Sequence, residues 1–297
     1  MVDMKGSIII NAFSTPEESV KCAERLREEF INKGVSCDIV TNGSLLTYLE
    51  NGGVVTQLKG NDFIVYLDKD KYLSACLENA GLKLFNSHEA IRRCDDKAET
   101  YIFLCEKGYS VPKTIFGTLC YSPEKEISLS VIDNVEKALN NYPIIVKESF
   151  GSMGKGVYMA KNRDELIEIA NKVKLKPHLF QEYLGKKFGV DVRIIVIGGK
   201  AVACMERRNE NDFRSNVAKG GWVIKTTPPA KFISLAEAVA KEIDLDYCGI
   251  DLLYGNNGEP VVCEVNSNAF FIGMEKATGK NVAKLYVEHV INTVKGR

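Results

Sequence analysis

The sequence predicts an α/β and α+β protein, in which a small Rossmann-like unit precedes a larger mixed region built on antiparallel hairpins. Two observations carry that reading. Over the first third, short apolar runs alternate with amphipathic helical segments, the pattern of a parallel sheet. From Ser87 onward, strand runs pair across Gly-rich turns and are separated by helices. At 297 residues and 45% hydrophobic, the chain has room for two or three packed units of ordinary globular composition. These divide as residues 1–90, a Rossmann-like domain; 91–182, a small α+β unit with a Gly-rich hairpin; and 183–297, a C-terminal unit with an acidic hairpin.

SIIINA, from Ser7, reads as the first strand. TPEESVKCAERLREEFINKG then has the marks of a helix: Thr15 as N-cap, Pro16 at the first position, Glu18 closing a capping box and Gly34 past the end, with Val20, Ala23, Leu26 and Phe30 on the buried side. CDIVT (37–41), DFIVYL (62–67) and KLFN (83–86) are further strands, with a helix over about 70–80. No glycine fingerprint follows the first strand, so this unit is expected to wall a site rather than hold a nucleotide. SHEAIRRCDDKAETYIFLCEKGY is helical, VPKTIF a strand and VIDNVEKALNNY a helix. PIIVKES and GVYMA form a hairpin, and Asn162 with Glu165 caps the helix NRDELIEIANKV. After FQEYL (180–184), VDVRIIVIGGKAVACMERR makes two strands turned at Gly198-Gly199. A loop rich in Asn, Arg and Gly (209–221), the helix ISLAEAVAKEI, the hairpin YCGIDLLYGNNGEPVVCEVN and the helix NVAKLYVEHVINTV complete the chain.

Composition excludes several functions. Lys+Arg and Asp+Glu are 39 each, so no general polyanion-binding surface is expected, and no nucleic acid as partner. The nine cysteines are scattered through apolar runs without a CxxC, and only three histidines are present, far apart. That suits buried thiols and leaves little for a zinc site or a His-dependent triad. No apolar run has the length of a membrane span, and MVDMKGSIII leads into a strand rather than a signal peptide, so a cytoplasmic protein is expected.

The stretch KESFGSMGKGVYMA, from Lys147, is rich in glycine but fits neither usual phosphate motif. The Walker loop fails because Ser149 precedes Gly154 by five and Gly156 follows Lys155; the dinucleotide fingerprint fails at Met159. Set between two strands, the loop is either an ordinary turn or a tip whose backbone N–H groups fold over an anion. Lys147 itself lies in an apolar strand, where a lysine usually meets an anion. In the later hairpin, a turn at Gly255 to Glu259 puts Asp251 opposite position 263 or 264, so Asp251 and Glu264 share a face, with Asn266 two residues on. Two carboxylates and an amide suit Mg²⁺, while an exposed acidic face, or ion pairs to arginines, fits equally. Asp191 and Arg193 share a face of one strand, Glu206-Arg207-Arg208 ends the next, and Arg214, Ser215 and Asn216 follow in the loop. Their convergence on the acidic hairpin points to a phosphate site.

In this order QEYL, GVDVRIIVIGGKAVACMERR, DFRSN, AKGG, CGIDLLY, CEVNSN and GMEKATG resemble the ATP-grasp carboxylate–amine ligases, and among them the RimK-like amino-acid (α-L-glutamate) ligases. The resemblance implies an ATP-grasp fold after a Rossmann-like pre-domain. It also implies ATP and Mg²⁺ as cofactors, with Mn²⁺ able to stand in and two ions expected. Lys97 and Lys147 look like the paired phosphate lysines, and Gly151, Ser152, Met153, Gly154 and Gly156 like the flap over them. Glu182, Tyr183 and Leu184 match the adenine hinge, Asp191 the residue near the ribose, and Arg214, Ser215 and Asn216 an ATP-contacting segment. Asp251, Glu264 and Asn266 match the metal ligands; Arg193, Arg208 and Arg214 match contacts to the acyl phosphate, the carboxylate substrate and the phosphates. The partners implied are a carboxylate and an amine, an amino acid with a peptide, protein or metabolite, and homo-oligomers are common in the family. SNAFFIG, with Ala269, Phe270 and Phe271, departs from the Pro-Gly ending of many relatives, in a loop beside their substrate region. The implied reaction is amide formation through an acyl phosphate. An ATP-binding sensor of the same fold, or a small-molecule kinase, is the alternative.

Overall fold

A computed structural model describes residues 4–13, 17–216 and 220–296. The first sheet is made by β1 (Lys5–Ile10), β2 (Ser36–Thr41), β5 (Phe63–Leu67) and β6 (Leu84–Phe85). They run parallel in the order β2-β1-β5-β6, as the alternating strand and helix pattern predicts. Helices α1 (Glu17–Asn32) and α2 (Lys71–Asn79) pack beside it, while β3 (Thr47–Glu50) and β4 (Gly53–Thr56) form a separate small hairpin that the sequence reading passed over. The cap expected from Thr15 and Pro16 lies outside the described residues.

The expected helix after Ser87 is two: α3 (His88–Asp95) and α4 (Lys97–Glu106). Asp96 breaks it, because in extended conformation its carboxylate accepts the N–H groups of Ala98 and Glu99 and caps the second helix. That break leaves Lys97 as the first residue of α4. The second sheet follows from β7 (Thr114–Phe116), α5 (Leu129–Leu139), β8 (Ile144–Glu148), β9 (Val157–Ala160), α6 (Arg163–Val173) and β10 (His178–Glu182). Its order is β7-β10-β8-β9, and β8 and β9 are the expected hairpin. One face buries Ile144, Val146 and Phe180 under α5 and α6. Strand alternation turns Ile145, Lys147 and Gln181 to the other face.

The third sheet is antiparallel, β13-β12-β11-β14-β15, from β11 (Val190–Ile197), β12 (Lys200–Arg208), β13 (Trp222–Lys225), β14 (Tyr247–Tyr254) and β15 (Pro260–Asn266). Helices α7 (Ala230–Ile243), α3 and α4 cover one side, where Val192, Ile250, Phe232 and Leu104 meet. The other side is divided along its length. Its apolar half, Ile195, Met205 and Tyr247, packs with Phe30 and Phe63 of the first unit and with Phe271 and Tyr286, which flank or belong to α8 (Ile272–Thr278) and α9 (Val282–Lys295). Its charged half, Asp191, Arg193, Arg207, Asp251 and Glu264, faces the second sheet. The first unit thus seals the apolar half, and a cleft forms over the charged half.

Phe271, 1% exposed and edge-on to Tyr247, sits in that shared core. Phe271→Ala should lower unfolding free energy by about 3–5 kcal/mol, the cost of an aromatic-sized cavity, measured by urea denaturation.

Candidate functional site

Asp251 lies on β14, beside the central strand of the third sheet, with both oxygens engaged. Arg193 grips it with two bonds, Nε to Oδ1 and Nη2 to Oδ2, each 2.7 Å, and Arg207 Nη2 approaches Oδ2 at 2.8 Å. Burial alone would push its carboxyl up, but the two guanidinium groups outweigh that and hold it below the usual range. Arg207 also grips Asp191 with both Nε, at 2.7 Å, and Nη2, and Ser215 Oγ donates to Asp191 at 2.5 Å. Asp251, Arg207, Asp191 and Ser215 are therefore one buried chain.

Two β-bulges decide which side chains face the site. The turn at Gly198-Gly199 sets Ile197 opposite Lys200 and Val196 opposite Ala201. Continued regularly, that register would set Asp191 against Glu206 and bring Arg208 to the site face. A bulge between Ile195 and Val196 shifts it by one, so Arg207 stands opposite Asp191. This corrects the expectation for Arg208: its side chain is turned away, 47% exposed, with Nε on Glu206 at 2.6 Å. A second bulge, between Asp251 and Leu252 in the β14–β15 ladder, sets Asp251 opposite Glu264, the arrangement expected of the acidic pair.

The donor set fits a hard divalent cation. Among the described residues no cluster of three or more His, Cys, Asp or Glu side chains could hold a metal; the pair Asp251 and Glu264 stands with the amide of Asn266, two residues on from Glu264 along the same strand. The amide nitrogen of Asn266 is buried with no hydrogen-bond partner among the described residues. Glu264 has Lys97 Nζ at 3.6 Å. Asp251 Oδ1 accepts only one N–H and so keeps a lone pair. Two carboxylates and an amide oxygen are ligands typical of Mg²⁺ and Mn²⁺.

Across the cleft, Lys97 Nζ donates to the Gly151 carbonyl at 2.8 Å, and its backbone N–H to Ser149 O at 3.0 Å. Burial depresses the Lys97 pKa, Glu264 opposes that, and Lys69 and Lys147 add to it. Lys147 is buried, with Tyr101 Oη at 3.2 Å and Cys263 Sγ at 3.9 Å. Burial pushes the Cys263 thiol up, so it is a protonated neighbour. On the other flank Arg214 Nη1 donates to Gly154 O and Val157 O, both 3.2 Å, while its other nitrogens hold Asp212. The glycine hairpin is thus stitched down on both sides by cationic side chains.

The cleft is partly open to solvent, and about 110 Å³ of it admits a water-sized sphere. It is lined by Lys97, Lys147, Gly151, Ser152, Gly154, Asp191, Arg214, Ser215, Asn216, Asp251 and Glu264, with Glu182, Tyr183 and Leu184 along one edge. Ile145, Val157 and Leu253 supply apolar wall. A second compartment, about 230 Å³ of which admits a water-sized sphere, shares Ser152, Asn216 and Glu264 with the first and adds Met153, Arg193, Asn266 and Phe270. Gly156 lines neither: it forms the hairpin neck at φ +70°, where a Cβ would come within 3.0 Å of the Glu148 side chain. Arg207, named from the sequence only within Glu206-Arg207-Arg208, also lines the cleft, as do Lys155 and Gln181, while Asn11, Asp68 and Lys69 of the first unit line the second compartment. Parity along β12 with a bulge allowed would have found Arg207; the others reach the cleft only through packing.

The RimK-like ATP-grasp domain family matches residues 94–290. The chain is 35% identical over 222 residues to a probable alpha-L-glutamate ligase of Marinomonas sp. (strain MWYL1), covering 73% of this chain and 69% of that protein. It is 32% identical over 235 residues to beta-citrylglutamate synthase B of Danio rerio, covering 78% of this chain but 56% of that protein, little more than half its length. Its fold is that of the D-alanine–D-alanine ligase from Bacillus anthracis solved with ATP, at TM-score 0.74, 18% identity and 98% and 97% coverage of the two chains.

Replacing Asp251 by Asn should cost about 3–5 kcal/mol at pH 7, because two buried guanidinium groups lose their anion. The pH sign follows from the depressed folded pKa: the Asp251 contribution is present above the unfolded value near 3.8 and is lost as pH falls through the lower folded one. Urea midpoints measured from pH 7 to pH 2 should show this loss in wild type and a shallower one in Asp251→Asn.

Proposed function

Because the chain belongs to the RimK-like ATP-grasp family, we propose that it is an ATP-dependent ligase. In this reading it phosphorylates a carboxylate and passes the acyl group to an amine, with an amino acid such as glutamate as one partner and a peptide, protein or metabolite as the other. One observation carries the reading. Lys97, Lys147 and Arg214 converge with the Asp251–Glu264–Asn266 set under one glycine hairpin, and the cleft opens directly into a second compartment holding Arg193. A nucleotide sensor has no use for that second space.

The residue roles follow from position. Ile145, Leu184 and Leu253 offer apolar contact to a planar base along the 182–184 edge, with backbone groups there for its hydrogen bonds. Lys97, Lys147 and Arg214 face the polyphosphate, replacing the carbonyl contacts that Lys97 and Arg214 now make. Asp251, Glu264 and Asn266 would hold Mg²⁺ or Mn²⁺, which when bound shields the phosphate charge from an attacking anion. A carboxylate oxygen attacks the γ-phosphorus and ADP leaves; the amine nitrogen then attacks the acyl carbon, and phosphate leaves as the amide forms. Arg193, which lines the second compartment, would hold the reacting carboxylate, and the closed hairpin keeps water from the acyl phosphate. No covalent enzyme nucleophile is needed, and the protonated Cys263 thiol is not one.

The reading is tested by following ADP and phosphate release against a panel of carboxylates, including citrate and N-acetylaspartate, paired with the amino acids, with mass spectrometry of the products. ATP turnover that never yields an amide would leave a kinase, not a ligase. Glu264→Ala should abolish metal-dependent turnover and leave the circular dichroism spectrum unchanged; near-normal activity would remove Glu264 from the metal set. Bound triphosphate raises the Lys97 pKa from its depressed free value, so ATP should bind best below that free value and progressively less as pH rises through it. Lys97→Met should bind ATP about 10- to 100-fold more weakly, the loss of a charge-assisted bond, and calorimetry across pH should find that dependence gone.

A further inference from the structure

Asp68 lies just beyond the carboxyl end of β5 and is 7% exposed. Asn11 Nδ2 donates to both its oxygens at 3.3 and 3.2 Å, Asn42 Nδ2 to Oδ2 at 2.8 Å and the Lys69 N–H to Oδ1 at 2.7 Å. The two asparagines are held in turn, each Oδ1 accepting a backbone N–H at 2.8 Å, from Phe13 and from Ala12. Every donor is neutral. Among the described residues no Lys, Arg or His lies within ion-pair distance of Asp68, and Lys69 Nζ turns away to Asp95 at 3.4 Å. A carboxylate this buried normally has a cationic partner.

Its place in the sheet is informative. In the order β2-β1-β5-β6 the chain passes from β1 to β2 on one side and then crosses over to β5 on the other side of β1. The gap between β1 and β5 is therefore the switch point, where open parallel sheets bind ligands beyond the carboxyl ends of their strands. Asn11 follows β1 and Asp68 follows β5, and both line the second compartment, whose other wall carries Arg193, Glu264 and Asn266. A buried carboxyl group with no cationic partner among the described residues thus faces, across the second compartment, the position where the acyl group would be activated.

We propose that Asp68, aimed by Asn11 and Asn42, anchors the amino group of the attacking substrate, received as its ammonium, and so selects a free amino acid over a hydroxyl nucleophile. This rests on the ligase reading and assigns to it the amine subsite. The ammonium supplies the missing counter-charge at the switch point, and its nitrogen, once a proton has passed to solvent, lies on the acyl-phosphate side of the compartment. Asp68 acts by binding and takes no part in phosphoryl transfer.

The test compares Asp68→Asn with wild type in the full chain, using the carboxylate selected by the panel above. L-glutamate serves as the amine, and hydroxylamine, uncharged at pH 7.5, as a small neutral trap that turns the acyl phosphate into a hydroxamate. The expected result is a KM for L-glutamate raised at least 30-fold, with the ATP KM and hydroxamate formation within twofold of wild type. An L-glutamate KM within threefold of wild type, or equal losses with both nucleophiles, would overturn the proposal while hydroxamate formation by wild type still upheld the ligase. Absence of hydroxamate from wild type would overturn the ligase reading itself. A measurement on wild type alone covers a variant that does not fold: 2-hydroxyglutarate, with hydroxyl in place of ammonium, should compete with L-glutamate at least 30-fold more weakly than glutamate binds, and equal competition would refute the assignment.

Discussion

The pairing of Asp251 with Arg193 and Arg207 organises everything around the cleft. Three charges drawn from three adjacent strands are taken out of water together, and the desolvation of each is several kcal/mol unless its partners are in place. The geometry that satisfies them is narrow, since both guanidinium forks must meet one carboxylate from strands on the same side of it. Arg207 carries the constraint onward to Asp191, Asp191 to Ser215, and Ser215 fixes the loop from which Arg214 reaches the glycine hairpin. A cue beside the central strand is thus connected by named bonds to the lid over the cleft.

The same face of the third sheet accounts for the position of the cleft. Apolar residues occupy one half and charged residues the other, so the N-terminal unit buries the first and stops where burial would strand charge. The small sheet covers the second half from the opposite side but offers it mostly cations. Lys97 and Lys147 sit deep in that interface with carbonyl, phenol and thiol groups near them and Glu264 as the nearest acid. Such an arrangement favours a polyanion between the lobes, and the bonds from Lys97 and Arg214 to the hairpin carbonyls are those it would exchange.

Much of this was legible before any coordinates. The glycine hairpin between two strands, Lys147 in an apolar strand and the acidic pair across a turn all follow from period-two alternation and turn chemistry. Of the competing readings of the acidic pair, ion pairing to arginines is the one observed at Asp251. Arg208 shows where such reasoning stops. A regular hairpin turns it inward, and one inserted residue exchanges it for Arg207; nothing local in VDVRIIVIGGKAVACMERR announces the bulge. Gly156 was likewise grouped with its neighbours, although a neck position and a lining position look alike in a glycine-rich run.

By itself the sequence determined the order of strands and helices, the hairpin partners and the types of residue brought to each strand end, because these depend on neighbours a few positions apart. The tertiary structure decided register and company. Bulges set by packing and ion pairing chose Arg207 and Glu264 for the site face, and the docking of the first sheet onto the third brought Asn11, Asp68 and Lys69 within reach of Glu264, some two hundred residues away along the chain. The physical reason is that side-chain alternation is a local property, whereas which half of a sheet must be covered, and by what, is settled only when buried charge and apolar area are balanced over the whole molecule.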